Sequence, residues 1–178
     1  SKEALIQKLG LTIVRCHDVW DAFPDIGVPD EWGSFLGLGA LVSQTRYARV
    51  YELPEAIPAR EVAHLIAKRT ALRGQKTLGL YGEPDRLVKR VGTGTGCYSD
   101  PRDLIALGAD LTVSVDDILR SWILGEWAND TGNPVVMVNH GVSEAVAMDS
   151  LARKIRELCP GVPVEVMAQG CSYQEIQS

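Results

Sequence analysis

The chain has 178 residues, and this length fits a single domain, covering residues 1–178, with a substantial buried core. Apolar residues make up 46% of the chain and charged residues 23%, a balance that excludes a disordered protein. The net charge of -5 argues against nucleic acid as a partner, because binding a phosphate backbone requires a basic face. No apolar run approaches the ~18 residues of a membrane span, so we expect no membrane partner and a cytoplasmic location.

The first half of the chain alternates between predicted helices, strands and one long loop. In chain order, the pattern predicts a helix at 2–9, a strand at 11–16, a Pro- and Gly-rich loop at 22–33 with a helical turn near 31–36, a strand at 46–53 and a helix at 59–68. Residues 40–90 are interpreted as a connecting subregion of the domain. Because the chain starts at Ser1 and opens directly into the first helix, we expect that an N-terminal segment is missing.

The second half of the chain continues this alternation. In chain order, the pattern predicts strands at 77–81 and 88–92, a helix at 102–107, a strand at 109–115, a helix at 117–128, a strand at 134–138, a helix at 143–158 and a strand at 162–167. Strands that alternate with helices and are nearly continuously apolar are typical of sheets that are covered on both faces. We therefore predict an α/β fold with a mixed, mainly parallel sheet and helices on both faces.

Two short motifs far apart in the sequence each place a histidine four positions before a carboxylate. His17 precedes Asp21 after the first predicted strand, and His140 precedes Glu144 after the strand at 134–138. If the fold brings both pairs together, their imidazole and carboxylate groups form a mixed ligand set that suits Zn²⁺, Fe²⁺ or Mn²⁺. The alternative is that each histidine only makes a hydrogen bond at the end of its strand.

A glycine-rich loop and an acidic pair are further candidates for a site. Residues 92–96 read Gly-Thr-Gly-Thr-Gly, which has neither the lysine of a Walker A loop nor the glycine spacing of a Rossmann fold. This loop is therefore either a tight strand-to-helix turn or a binding loop for a small anion or substrate. Asp116 and Asp117 follow the strand at 109–115 and form either a helix N-cap or part of a site.

Several segments, in their order along the chain, resemble the NIF-three-like family of dinuclear metal-centre hexameric proteins. The matching segments are 17–21, the middle region 51–68 with 82–85, the glycine loop with the Leu-Gly-Ala-Asp strand at 91–116, and 138–144 with the helix that follows. Together they cover most of the chain, and their order is the most specific part of the resemblance. It implies the NIF-three-like fold and a homo-oligomer, which in the family is a hexamer.

The resemblance also implies a set of ligands and an activity. Asp21, His140 and Glu144 match the family's metal ligands, while His17 and Asp116 match positions that face the site and serve as catalytic candidates. One or two divalent ions (Zn, Fe or Mn) are implied, but the ligands for a second ion are incomplete, because the family's paired-histidine motif lies upstream of this chain.

The function implied by the resemblance is that of a metal-dependent hydrolase, which uses metal-activated water on an unknown small-molecule substrate. The family label GTP cyclohydrolase I type 2 homologue suggests a nucleotide, although nothing in the sequence itself indicates how a purine would be bound. The alternative is a non-catalytic protein that handles metal or serves as an oligomeric scaffold.

Overall fold

A six-stranded sheet organises the chain, of which the computed structural model describes residues 1–167, 169–174 and 176. The strands are β1 (Ala40–Gln44), β2 (Ala48–Pro58), β3 (Gly79–Tyr81), β4 (Leu87–Gly94), β5 (Leu111–Val115) and β6 (Val135–Val138). The helices are α1 (Lys2–Leu9), α2 (Asp18–Asp21), α3 (Val28–Leu36), α4 (Ala59–Thr70), α5 (Pro101–Ala106), α6 (Glu126–Thr131), α7 (His140–Ala145) and α8 (Met148–Leu158). No helix within the described ranges is long and apolar enough to cross a membrane.

The sheet is mixed, and its parallel part lies at the centre. The strand order is β1-β2-β4-β5-β6-β3, in which β4, β5 and β6 are parallel and the other three pairs are antiparallel. The predicted α/β fold with a mixed sheet is therefore confirmed, but parallel pairing is limited to this central part. Parallel neighbours need a long crossover, which α5 and α6 provide here, whereas the short turn at 45–47 makes β1 and β2 antiparallel.

The three parallel strands end at the same edge of the sheet. Thr93 of β4 pairs with Val113 of β5, and Val115 of β5 pairs with Val138 of β6. The residues that follow β4, β5 and β6 therefore come together along one edge. In open α/β sheets, this edge is the usual place for a ligand.

Helices cover both faces of the sheet, as predicted. Adjacent residues of a strand point to opposite faces, and the neighbours Val50 and Tyr51 of β2 belong to two separate apolar clusters. Tyr51 packs in the larger cluster, which includes buried residues of α3 and α4, while Val50 packs with Leu104 of α5. Val135 and Val136 of β6 are divided between clusters in the same way.

Two predicted strands, at 11–16 and 162–167, do not form. Neither segment pairs with another strand of the described chain, and Val14 and Met167 are 82% and 90% exposed. Alternating apolar residues predicted these strands, but a strand is stable only when its backbone groups find partners. Conversely, the sequence pattern does not predict β1, because this short edge strand is mostly exposed and lacks a buried face.

Two predicted helices are interrupted. The predicted helix at 117–128 consists of a turn, a π-helical turn and only then α6. The predicted helix at 143–158 is divided into α7, which already begins at His140, and α8. At the break between them, the carbonyl oxygen of Ala147 accepts a hydrogen bond from the indole N–H of Trp20 (3.0 Å). A tertiary contact of this kind cannot be deduced from helical periodicity.

Candidate metal centre

A cleft of about 310 Å³ opens at the edge where the parallel strands end. Its walls come from five parts of the chain: His17, Asp18 and Asp21; Tyr47; residues 95–98; Asp117; and His140 with Glu144. The fold thus brings the two histidine–carboxylate motifs of the sequence into one cleft.

His140 and Glu144 lie on one face of α7, because residues i and i+4 of a helix are neighbours. The Nε2 atom of His140 lies 2.7 Å from Oε1 of Glu144, and its Nδ1 atom lies 2.9 Å from Oδ2 of Asp117. The hydrogen bond to Glu144 is the main cause that raises the pKa of His140 to about 9; burial opposes this shift, and the hydrogen bond to Asp117 adds to it. An imidazole between two carboxylates is therefore well suited to hold a positive charge.

The His17 motif forms the one-turn helix α2 on another wall of the cleft. Nδ1 of His17 lies 2.5 Å from Oδ1 of Asp18, and Nε2 lies 3.8 Å from Oδ2 of Asp21. One possible ligand atom from each of these three residues lies within 4.8 Å of those of the other two. Among the described residues, no other group of three His, Cys, Asp or Glu side chains is as closely spaced. The sequence pattern predicted His17 and Asp21 for the site but not Asp18.

Trp20 anchors the His17 motif to the junction of α7 and α8, next to the His140 motif. Its side chain is only 3% exposed, and it packs with Val28 and Ala147 in a small apolar cluster. The indole also lies against the ring of Phe23, with 4.9 Å between ring centroids. Because Trp20 lies in the same helical turn as Asp21, its burial fixes where that carboxylate points.

The charge of Glu144 acts on the carboxylate of Asp21 across the cleft. Burial raises the pKa of Asp21, and the negative charge of Glu144 raises it further. The Asp21 side chain is 15% exposed, so solvent screens this repulsion only partly. A divalent cation near both carboxylates would replace the repulsion with attraction. The nitrogen and oxygen donors of the cleft therefore fit the divalent metal ion that the resemblance implies.

The neighbours Asp116 and Asp117 point to different places. Oδ1 of Asp116 accepts a hydrogen bond from the backbone N–H of His140 (3.1 Å), and Oδ2 accepts one from the side-chain amide of Asn139 (2.8 Å). Among the described residues that line the cleft, Asp117 is present and Asp116 is not. Asp116, which we expected to face the site, thus holds the start of α7 from behind. Both residues lie in the turn that follows β5, and their side chains leave this turn in different directions.

The glycine loop forms the wall beside His140. β4 extends to Gly94, and a 3₁₀ turn separates the loop from α5, so the loop is not a direct strand-to-helix connection. Gly96 has a φ of +47°, and a Cβ atom there would lie 3.0 Å from Nε2 of His140 and 3.2 Å from Oε1 of Glu144. Glycine therefore allows the loop backbone to approach the two predicted ligands closely.

The family of this chain follows from its sequence match. The model of the Duf34/NIF3 (NGG1p interacting factor 3) family matches residues 2–172. The chain belongs to this family. This match confirms the resemblance that the motifs indicated, and it covers nearly the whole chain. No curated protein matches its sequence.

Solved structures share the fold of this NIF3-family chain. Protein ybgI, whose function is described as unknown, is 24% identical over 79% of this chain and 55% of its own length, with a TM-score of 0.65. Protein SA1388 of Staphylococcus aureus is 16% identical over 98% of this chain and 72% of its own, with a TM-score of 0.79. Reduced HcgD from Methanocaldococcus jannaschii is 16% identical over 88% of this chain and 61% of its own, with a TM-score of 0.64. The chain thus spans between about half and three quarters of the length of these proteins, and identities this low support the fold alone.

Proposed function

We propose that this NIF3-family chain binds one divalent metal ion in the cleft through Asp21, His140 and Glu144, and that it is a metal-dependent hydrolase. The observation that carries the proposal is the convergence of both motifs on one cleft, where burial and the negative charge of Glu144 raise the pKa of Asp21. Imidazole and carboxylate ligands suit Zn²⁺, Fe²⁺ and Mn²⁺.

The residues around the proposed ligands have separate tasks in this mechanism. A divalent ion bound there would lower the pKa of water towards neutrality, which supplies a nucleophile for hydrolysis. Asp117, bonded to Nδ1 of His140, orients the imidazole so that Nε2 faces Glu144 in the cleft. His17, at the open side of the cleft and half exposed, is placed to accept a proton and pass it to solvent. Asp116 holds the backbone of His140 in place.

A metal-handling function is the second candidate, and one observation favours it. His17 and Asp18 belong to the group of three whose ligand atoms lie within 4.8 Å of one another, and both side chains are open to solvent. A cation held at such an exposed site exchanges with solvent more easily than one in a closed site. In this case, the cleft would accept and release metal without turning over a substrate, and a homo-oligomer would present several such clefts.

Metal analysis of protein purified without chelator tests the binding site. We expect about one equivalent of metal in the wild type and a loss of most of it in His140→Ala and Glu144→Gln. His64→Ala is the matched control, because His64 is exposed on α4 and does not line the cleft. Equal and negligible metal in the wild type and all three variants would contradict both the hydrolase and the handling function.

Turnover assays separate the two candidate functions. Metal-loaded protein is incubated with a panel of phosphoesters, nucleotides and cyclic amides, and product formation is compared with that of Glu144→Gln. Hydrolysis that depends on both metal and Glu144 supports the hydrolase. Stoichiometric metal without any turnover, together with rapid transfer of the metal to a chelator, would favour metal handling.

A further inference from the structure

The segment formed by residues 169–173 lies against the first turn of α7. A Cβ atom at Gly141, the residue after His140, would lie 3.7 Å from the carbonyl oxygen of Gly170. A Cβ atom at Gly170 would lie 2.9 Å from the carbonyl oxygen of Arg73, so the segment also passes close to the turn that follows α4. Among the described residues that line the metal cleft, none belongs to this segment. The 169–173 segment thus contacts the helix of a predicted ligand without lining the cleft itself.

Asn139 attaches this segment to α7. It is the buried N-cap residue of the helix, a position where an asparagine side chain usually accepts a hydrogen bond from the helix backbone. Within the described chain, Asn139 makes no such bond. Instead, its Oδ1 atom accepts a hydrogen bond from the backbone N–H of Ser172 (3.2 Å), and its Nδ2 atom donates to Oγ of Ser172 (2.8 Å) and to Oδ2 of Asp116 (2.8 Å). The amide of Asn139 therefore joins the 169–173 segment to the turn after β5.

Gln75 provides a second attachment of the same segment. Its side chain is buried, and its Oε1 atom accepts a hydrogen bond from the backbone N–H of Asn139 (2.9 Å). Its Nε2 atom donates a hydrogen bond to the hydroxyl group of Tyr173 (3.3 Å). A buried amide that loses a hydrogen-bond partner is destabilising, because water cannot replace that partner. Gln75 therefore couples the hydroxyl group of Tyr173 to the backbone at the beginning of α7.

Asp116 connects this network to the predicted ligand. Its Oδ1 atom accepts a hydrogen bond from the backbone N–H of His140 (3.1 Å), while its Oδ2 atom binds the side chain of Asn139. One carboxylate is thus shared between the backbone of the ligand and the side chain that binds Ser172. In a buried network of this kind, the loss of one hydrogen bond weakens the others. The position of His140 therefore depends on hydrogen bonds that the 169–173 segment makes.

We propose that the 169–173 segment positions the metal centre: by holding Asn139, it fixes the beginning of α7 and thereby the point from which His140 reaches the cleft. The inference rests on the proposed function, because it takes His140 as a metal ligand. Ser172 and Tyr173 are then positioning residues, which touch neither metal nor substrate. Groups that hold a ligand from outside typically change metal affinity by about 10- to 100-fold. Since this segment acts through intermediate side chains, its effect lies at the lower end of that range.

Titration of the metal-free full chain with Co²⁺, followed by visible absorption, tests this role. We expect Ser172→Ala and Tyr173→Phe each to lower Co²⁺ affinity about tenfold and to change the absorption spectrum of the bound ion, because the imidazole ligand shifts. Ser172→Thr keeps the hydroxyl group and should bind Co²⁺ as the wild type does. The matched controls are Ser121→Ala and Tyr81→Phe, which break the hydrogen bond between these two hydroxyl groups (2.8 Å). Neither residue is among the described residues that line the cleft, so both controls should keep wild-type affinity.

Hydrogen exchange of the backbone amides of Asn139 and His140 tests the same role without metal. In the metal-free protein, these amides donate to Gln75 and Asp116, respectively. We expect about three- to tenfold faster exchange in Ser172→Ala and Tyr173→Phe, the range for the loss of one hydrogen bond. The two control variants should exchange at the wild-type rate.

The proposal is overturned by unchanged exchange of both amides in the two segment variants, or by equal effects in the segment variants and the controls. Faster exchange with unchanged Co²⁺ affinity also overturns it, because the backbone would then move without affecting the ligand. A wild type that binds no Co²⁺ contradicts the proposed function instead. In that case, faster exchange in the segment variants still supports the hold of the 169–173 segment on α7, and unchanged exchange refutes it.

Discussion

Gly96→Ala is the substitution that most directly tests the geometry of the cleft. At a φ of +47°, an alanine costs about 1 kcal/mol of folding free energy relative to glycine. Its Cβ atom would also lie 3.0 Å from Nε2 of His140 and 3.2 Å from Oε1 of Glu144, so these atoms must move by a few tenths of an ångström. Metal–ligand bonds tolerate deviations of only about 0.2 Å, and we therefore expect metal affinity to fall about 10- to 100-fold.

Gly37→Ala is the matched control for this experiment. Gly37 has a similar φ of +71°, but no atom lies within 4 Å of a Cβ atom placed there. Urea denaturation of the metal-free proteins should show a similar loss of about 1 kcal/mol in both variants. Competition with a fluorescent chelator should show weaker metal binding in Gly96→Ala alone. Wild-type affinity in Gly96→Ala, or an equal loss in Gly37→Ala, would refute the claim that the loop backbone limits the ligand positions.

Three further predictions concern stability. Hydrogen bonds from Arg102 lower the pKa of Asp100 in the folded protein, so the stabilisation by Asp100 is fully present above its unfolded pKa of about 3.8 and is lost as the pH falls through the lower folded value. Urea denaturation across this range should show that the difference in unfolding free energy between wild type and Asp100→Asn disappears in acid. A difference that persists in acid contradicts the ion pair as its source. Arg49 is almost fully buried and donates two hydrogen bonds to Asp30 (2.6 and 2.8 Å), so Asp30→Asn should cost about 3 kcal/mol of unfolding free energy. A measured cost well below about 1 kcal/mol would show that the backbone carbonyl groups of Thr45 and Ala48 are enough to stabilise the buried guanidinium of Arg49. A chelator should lower the melting temperature of the wild type. Metal at 100 times its dissociation constant contributes about 2.7 kcal/mol to the unfolding free energy, which is equivalent to about 5–11 °C for a domain of this size. Calorimetry of His140→Ala should show no effect of the chelator on the melting temperature.

The central part of the fold could be predicted from the sequence because its signals are local. β5 and β6 are mostly apolar and almost fully buried, as expected for strands covered on both faces, and the helix beginning after Pro58 carries its apolar residues at helical spacing. The segments at 11–16 and 162–167 were also predicted as strands from their apolar residues, but neither has a partner strand among the described residues. Sequence alone cannot distinguish these cases, because pairing depends on residues far away in the chain.

The candidate site was predictable in its residue types but not in its arrangement. The His140–Glu144 motif was predicted, but with its helix beginning at 143; in the structure α7 begins at His140 and puts both side chains on one face, and the His17 motif reaches the same cleft. The sequence did not show that Asp117, rather than Asp116, bonds the imidazole of His140, because this depends on how the backbone leaves β5. It also did not mark Tyr98 or Asp18, since neither belongs to a repeated motif.

Trp20 explains how a weakly packed N-terminal region can still contribute to this cleft. Helix α1 has no buried residue, and the segment before His17 is exposed, so little in residues 1–16 holds the motif in place. The buried indole, bonded to Ala147, fixes α2 directly to the junction of α7 and α8 instead. Trp20→Phe removes this hydrogen bond while keeping an aromatic ring. We therefore expect the loss in the free energy of metal binding to exceed the loss in the unfolding free energy of the metal-free protein. If stability falls by several kcal/mol while metal affinity is unchanged, the position of Asp21 is set by other contacts, and the two motifs do not depend on Trp20 to form one site.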